Sequence, residues 1–249
     1  MLFVARAVFP DGRRCVLPAA ARCCTRERER FMGQPLGKMD DGLLWAARDG
    51  KLGEVLTLLA AGARAGCRER NGLTPLLLAA ESGSHECCRA LMRAGADHGE
   101  RDAYGSAPTH GAAVFGRAEC LEALLEAGAD VDAKNASGDT PLSKAARGGW
   151  EDAVSVLLRH GANPNTVNGR GVSPLFSAAA GGHAKVCKAL LFAGADPRAT
   201  NANGMTASDA ARHFGRGECV DILLAAEERV SLLSETGMVA KAAARRRRI

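Results

Sequence analysis

At 249 residues, with 47% apolar residues but only 4% aromatic, the chain can bury a substantial core, and that core must be built from Ala, Leu, Val and Cys, which suits small helices packed closely. The net charge of +5 is uneven: residues 1–38 hold eight Arg/Lys against three Asp/Glu, residues 230–249 hold five against one, and the body between is −4, which argues against a nucleic-acid-binding core. No apolar run reaches the roughly 18 residues of a membrane-spanning helix.

Residues 1–39 read as a disordered basic leader. The stretch MLFVARAVFPDGRR carries Arg6 inside its apolar run and Pro10-Asp11-Gly12 straight after it, a poor secretory signal. Arg6, Arg13, Arg14 and Arg22 against Asp11 leave mitochondrial import as a lesser reading, beside a leader upstream of a start at Met32 or Met39. Cys15, Cys23 and Cys24 form no Cys-x-x-Cys and have no nearby histidine, so no zinc site is expected there.

From about residue 40 a 33-residue period takes over. Glycines recur at 72, 105, 138, 171 and 204, at 50, 83, 116, 149, 182 and 215, and at 62, 95, 128, 161 and 194. The first series falls where a tight turn precedes a helix, and the other two fall where a left-handed residue ends one. One unit is therefore turn, helix, turn, helix, loop, with units at about 40–68, 69–101, 102–134, 135–167, 168–200 and 201–229.

Helix starts are marked by Asp41, Thr74, Thr140, Ser173 and Thr206, whose side-chain oxygens can cap free N–H groups. Pro75, Pro108, Pro141 and Pro174 follow at the first helical position. Ala107 interrupts the capping series, so the first helix of the third unit should lack about 1 kcal/mol of capping. Second helices carry apolar i, i+3, i+4 sets such as Leu121/Leu124/Leu125 and Val154/Leu157/Leu158, and Ala-Ala pairs from 46/47 to 210/211 keep the first helices thin. No such stripe holds a short helix alone; stacked on its neighbours it makes a continuous core. Residues 230–249 read as a helix extension, running through AAEERVSLLSE to Gly237, and a basic tail with Lys241, Arg245, Arg246, Arg247 and Arg248.

The stretches GLTPLLLAA, GSAPTHGAA, GDTPLSKAA, GVSPLFSAA and GMTASDAAR, each spaced by the same period from a later GAD or GAN in most units, resemble the ankyrin repeat. Only His110 supplies that family's helix-start histidine; Leu77, Ser143, Phe176 and Asp209 stand elsewhere. The resemblance implies an all-α ankyrin-repeat solenoid of about six stacked helix-turn-helix repeats with short β-turn or hairpin loops. It further implies a non-catalytic scaffold or adaptor, monomeric by itself, that meets a protein partner at the hairpin tips and the exposed side of the first helices. The non-consensus residues there are Arg70, Leu73, Glu81, Tyr104, Ser106, Val114, Phe115, Asp139, Arg147, Arg170, Val172, Met205, His213 and Phe214. Tyr104 and Phe115 share one unit and are the expected anchors, with Arg70, Arg147 and Arg170 choosing acidic groups. Trp45 and Trp150 read as packing residues.

Cys87, Cys120 and Cys219 share one repeat position with Ala153 and Val186, and Cys88 and Cys187 share the next, so these cysteines behave as small hydrophobes. Equivalent positions in neighbouring units should lie too far apart for disulfides, and the thiol-rich interior suits a reducing cytoplasmic or nuclear setting. No His-Glu-x-x-His or Gly-x-Ser-x-Gly occurs, and catalytic residues, metal and cofactors are not expected. Two other readings compete. The Arg-rich tail could serve nuclear import or touch nucleic acid, the only route to nucleic acid here. A ubiquitin-ligase substrate adaptor is the weaker alternative, since no docking box follows the repeats.

Overall fold

The computed structural model describes residues 6–8, 14–16 and 36–246. Two short strands, β1 (Arg6–Val8) and β2 (Arg14–Val16), pair antiparallel with Arg6 opposite Val16. At these six residues the leader, expected without structure, is paired backbone, ending in Val8 and Val16, a residue type suited to an extended chain. Cys23, Cys24 and Met32 lie outside the described residues.

The body is six helix pairs: α1 (Leu36–Arg48) and α2 (Leu52–Ala61), α3 (Pro75–Ser82) and α4 (His85–Arg93), α5 (Pro108–Val114) and α6 (Ala118–Glu126), α7 (Pro141–Gly148) and α8 (Glu151–Arg159), α9 (Pro174–Gly181) and α10 (Ala184–Phe192), α11 (Ala207–His213) and α12 (Gly217–Arg246). First helices stack on first helices and second on second, so the core is a sheet of contacts between units and no unit has an interior of its own. The paired alanines are at most 1% exposed from Ala46/Ala47 to Ala210/Ala211, and between the layers lie Leu58, Leu91, Leu124, Leu157, Leu190 and Leu223, all fully buried. No helix among the described residues is long and apolar enough to cross a membrane.

All sixteen glycines of the three series have positive φ. Gly72, at φ +76°, faces the main chain of Asp102 and Ala103 in the next unit, so it answers both a turn and a close approach. Thr74, Thr140, Ser173 and Thr206 each accept a hydrogen bond from the N–H three residues on. Asp41 does not start a helix: with Gly42 where other units place proline, α1 continues back to Leu36. Asp40 on it is buried and accepts from the Arg64 main chain at 2.9 Å and from its guanidinium at 2.6 and 2.9 Å, closing the first unit. At the other end α12 passes through Gly237 to Arg246; one interior glycine costs about 1 kcal/mol, which the alanine-rich run beyond it can offset.

Ala107 offers no side-chain cap, but His110 supplies half of a capping box, its Nδ1 accepting from the Ala107 N–H at 3.2 Å and its Nε2 lying 3.0 Å from the Asp139 carbonyl oxygen. The His110 N–H, which a threonine hydroxyl would take up, turns instead to the Ala107 carbonyl at 2.9 Å. Ala107→Thr, at a position equivalent to buried Thr74 and Thr140, should add about 1 kcal/mol and raise the melting temperature by about 2–4 °C in circular-dichroism melts.

A second inter-unit device runs along the turns that precede the second helices. Arg117 Nε donates to the Glu81 carbonyl at 3.2 Å, Trp150 Nε1 to that of Val114 at 2.9 Å, and Arg216 Nε to that of Ala180 at 3.4 Å, while His183 Nε2 lies 3.0 Å from that of Arg147. Each satisfies a carbonyl left free at the end of the first helix one unit earlier.

Cys67, Cys87, Cys88, Cys120, Cys187 and Cys219 are free and buried. Cys88 meets Cys120 thiol to thiol, and Cys187 meets Cys219; these pairs are one residue out of register between units, which comparison of equivalent positions misses. The Cys120 contact and burial push the Cys88 thiol up, and burial pushes Cys67 up to about 12, so these groups stay protonated.

Candidate protein-binding surface

The surface begins with how each hairpin tip is held. Asp102, Asn135, Asn168 and Asn201 occupy one repeat position, and each side chain accepts from the N–H groups two and four residues on. Such turns fix the tip without help from its outer side chains. Neighbouring tips are tied by single main-chain bonds, Ala103 N–H to Asn71, Ala136 to Tyr104, Gly169 to Ser137 and Ala202 to Arg170. The outward residues are therefore presented by rigid backbone.

Against the third unit's tip lies a cavity of about 440 Å³ whose walls include Tyr104, Val114 and Phe115. These three are 74%, 43% and 47% exposed, so three residues expected at the interface share one concavity. Gly111 stands on its wall, where other units carry Leu78, Lys144, Ser177 and Ala210. Glu81, Asp102, His110 and Lys144 also line it. Burial raises the Glu81 carboxyl above its usual range, and the Asp102 charge adds to that against a smaller opposing effect of Arg48. The sequence reading missed Gly111, Asp102 and Lys144; a glycine inside a helix at a position with no turn was the available signal.

The remaining expected residues lie elsewhere on the surface. Arg70, Arg147 and Arg170 are exposed, with the Arg147 guanidinium 4.0 Å from the Asp139 carboxylate. Leu73 is half-buried against the core. His213 and Phe214 are exposed at the last unit, their rings edge to face at 4.9 Å. Asp139, expected at a tip surface, is 4% exposed; it is drawn inward by Lys144 at 2.8 Å and Asn168 at 2.7 Å. Burial is the largest single influence on its carboxyl and pushes it up, but those two hydrogen bonds with the charges of Lys144 and Arg147 outweigh it and hold it below the usual aspartate value. Trp150 packs as expected, over Gly116 and Gly148. Of the tail, Lys241, Arg245 and Arg246 belong to α12, and Arg247 and Arg248 lie outside the described residues.

Compared with known families, the chain matches a model described as ankyrin repeats (3 copies) over residues 43–135 and 131–201. No curated protein matches it.

Proposed function

The chain belongs to the ankyrin-repeat family, and from that premise we infer that it is a non-catalytic scaffold or adaptor binding a partner protein on the hairpin-tip and first-helix face. Ankyrin repeats generally mediate protein–protein interaction. The observation that carries the reading to particular residues is the convergence of exposed Tyr104, Val114 and Phe115 on one cavity. Aromatic rings at the centre of a desolvated patch are the side chains that dominate interface energies, and here they stand on an ordered backbone, so little ordering entropy opposes binding. Arg70 and Arg147 in the neighbouring units, and Arg170 one unit further on, select acidic groups. His213 and Phe214 extend the face at its end. A cytoplasmic or nuclear setting suits the unpaired thiols of the core.

Affinity capture with the full-length chain tests this. Tyr104→Ala with Phe115→Ala should reduce capture by about tenfold or more at unchanged helicity, while removal of residues 241–249 should leave it intact. Capture lost with the tail, and falling steeply with salt, would instead place the function in the basic segment.

A further inference from the structure

We propose that the cavity beside Gly111 receives a single cationic side chain, a lysine or arginine of the bound partner, whose head group meets Glu81 and Asp102 while its stem lies along Phe115 and Tyr104. This rests on the protein-binding reading above and adds the chemistry of the residue that enters.

Gly111 has no side chain, and Glu81 uses that room: a Cβ there would lie 3.0 Å from Glu81 Cγ and 3.6 Å from its Oε1. Glu81 is half-buried and lacks an ion pair or hydrogen bond to its carboxylate among the described residues. Asp102 Oδ1 is engaged by the Tyr104 and Ser106 N–H groups at 2.8 Å each, and Asp102 has no ion-pair partner among the described residues either.

The cations nearby are already committed. Lys144 is on Asp139, Arg48 on Glu69, Arg101 on the carbonyls of Gly105 and Lys134, and Arg117 on the Glu81 carbonyl. Two carboxylates therefore face a concavity whose nearest cations, Lys144 on its wall and Arg48 acting on Glu81 through space, are paired with other carboxylates. An apolar occupant would desolvate them without compensation, and an acidic one would be repelled. A cation pairs with both, and aromatic faces at the rim attract it further. The raised Glu81 carboxyl agrees with an anion held in want of a partner.

The test uses the ¹⁵N-labelled full chain titrated with N-acetyl-arginine amide, N-acetyl-lysine amide and neutral N-acetyl-citrulline amide. Saturable amide shifts at Gly111, Tyr104 and Phe115 are expected with the two cations and about tenfold weaker binding with citrulline. Glu81→Gln should weaken the cations by a similar factor with an equal or higher melting temperature, which separates lost recognition from lost folding. Gly111→Ala, which crowds the Glu81 side chain out of its place, should weaken the two cations. Equal binding of citrulline, or cation binding indifferent to Glu81→Gln, overturns the proposal. Partner capture that survives Glu81→Gln but not the Tyr104/Phe115 double substitution would remove this inference and leave the protein-binding reading standing.

Discussion

Asp139→Ala should lower stability at pH 7 by about 3 kcal/mol, a fall of roughly 6–12 °C in melting temperature for a chain of this size. The effect is large because the carboxylate holds two units together. Its removal strands Lys144, whose side chain is 20% exposed, and takes the acceptor from the buried Asn168 amide. Asn168 in turn holds the Arg170 and Val172 N–H groups at 2.9 and 3.0 Å, so the damage reaches the fifth unit's tip. Asp139→Asn keeps the volume and should cost less. A loss below about 1 kcal/mol in denaturant melts would show the cluster to be dispensable.

The same cluster sets an acid response in two stages. Asp139 titrates below its usual value in the folded chain, so its contribution is complete above the unfolded aspartate pKa of about 3.9 and is lost as pH falls through the folded value. The gap between the Ala variant and the parent should therefore narrow as pH falls below about 3.9. His110 acts earlier. Burial lowers its pKa, against the raising effect of the Asp139 carbonyl, and the neutral ring is the form that accepts from Ala107 and donates to that carbonyl. The unfolded chain takes up this proton first, near pH 6.5, so stability begins to decline as pH falls below that value.

The repeat was legible in the sequence because its glycines answer backbone geometry: a residue at positive φ must nearly always be glycine, so the fold prints itself at fixed spacing. What was illegible depends on contacts between units. Asp139 shares its repeat position with Leu73, Ser106, Val172 and Met205, and register alone assigns all five to the surface; its burial follows from Lys144 and Asn168, which only folding brings to it. The turn donors Arg117, Trp150, His183 and Arg216 have no common residue type, and each bonds a main-chain atom 36 residues earlier, so no motif announces them. For the binding face, Tyr104 and Phe115 stood out as rare aromatics, whereas Gly111 acts by the space it leaves.

Trp150→Ala should cost about 2 kcal/mol, less than a fully buried tryptophan because 43% of it is exposed. The indole bonds the Val114 carbonyl and lies over Gly116, whose φ is +66° and where a Cβ would overlap the ring. Gly116→Ala should therefore be about as harmful alone, combining left-handed strain with displacement of the indole. Once Trp150 is truncated, only the strain remains, so the double variant should be more stable than the sum of the single losses implies by about 1 kcal/mol or more. Additive losses would show that the ring and the glycine do not act together. The consequence for binding follows from chain position: Val114 and Phe115 are the last residue of α5 and its C-cap, so Trp150 holds the end of the helix that presents them. Releasing it should weaken partner capture without touching the cavity, an effect that Trp45→Ala, on the terminal unit, should not reproduce.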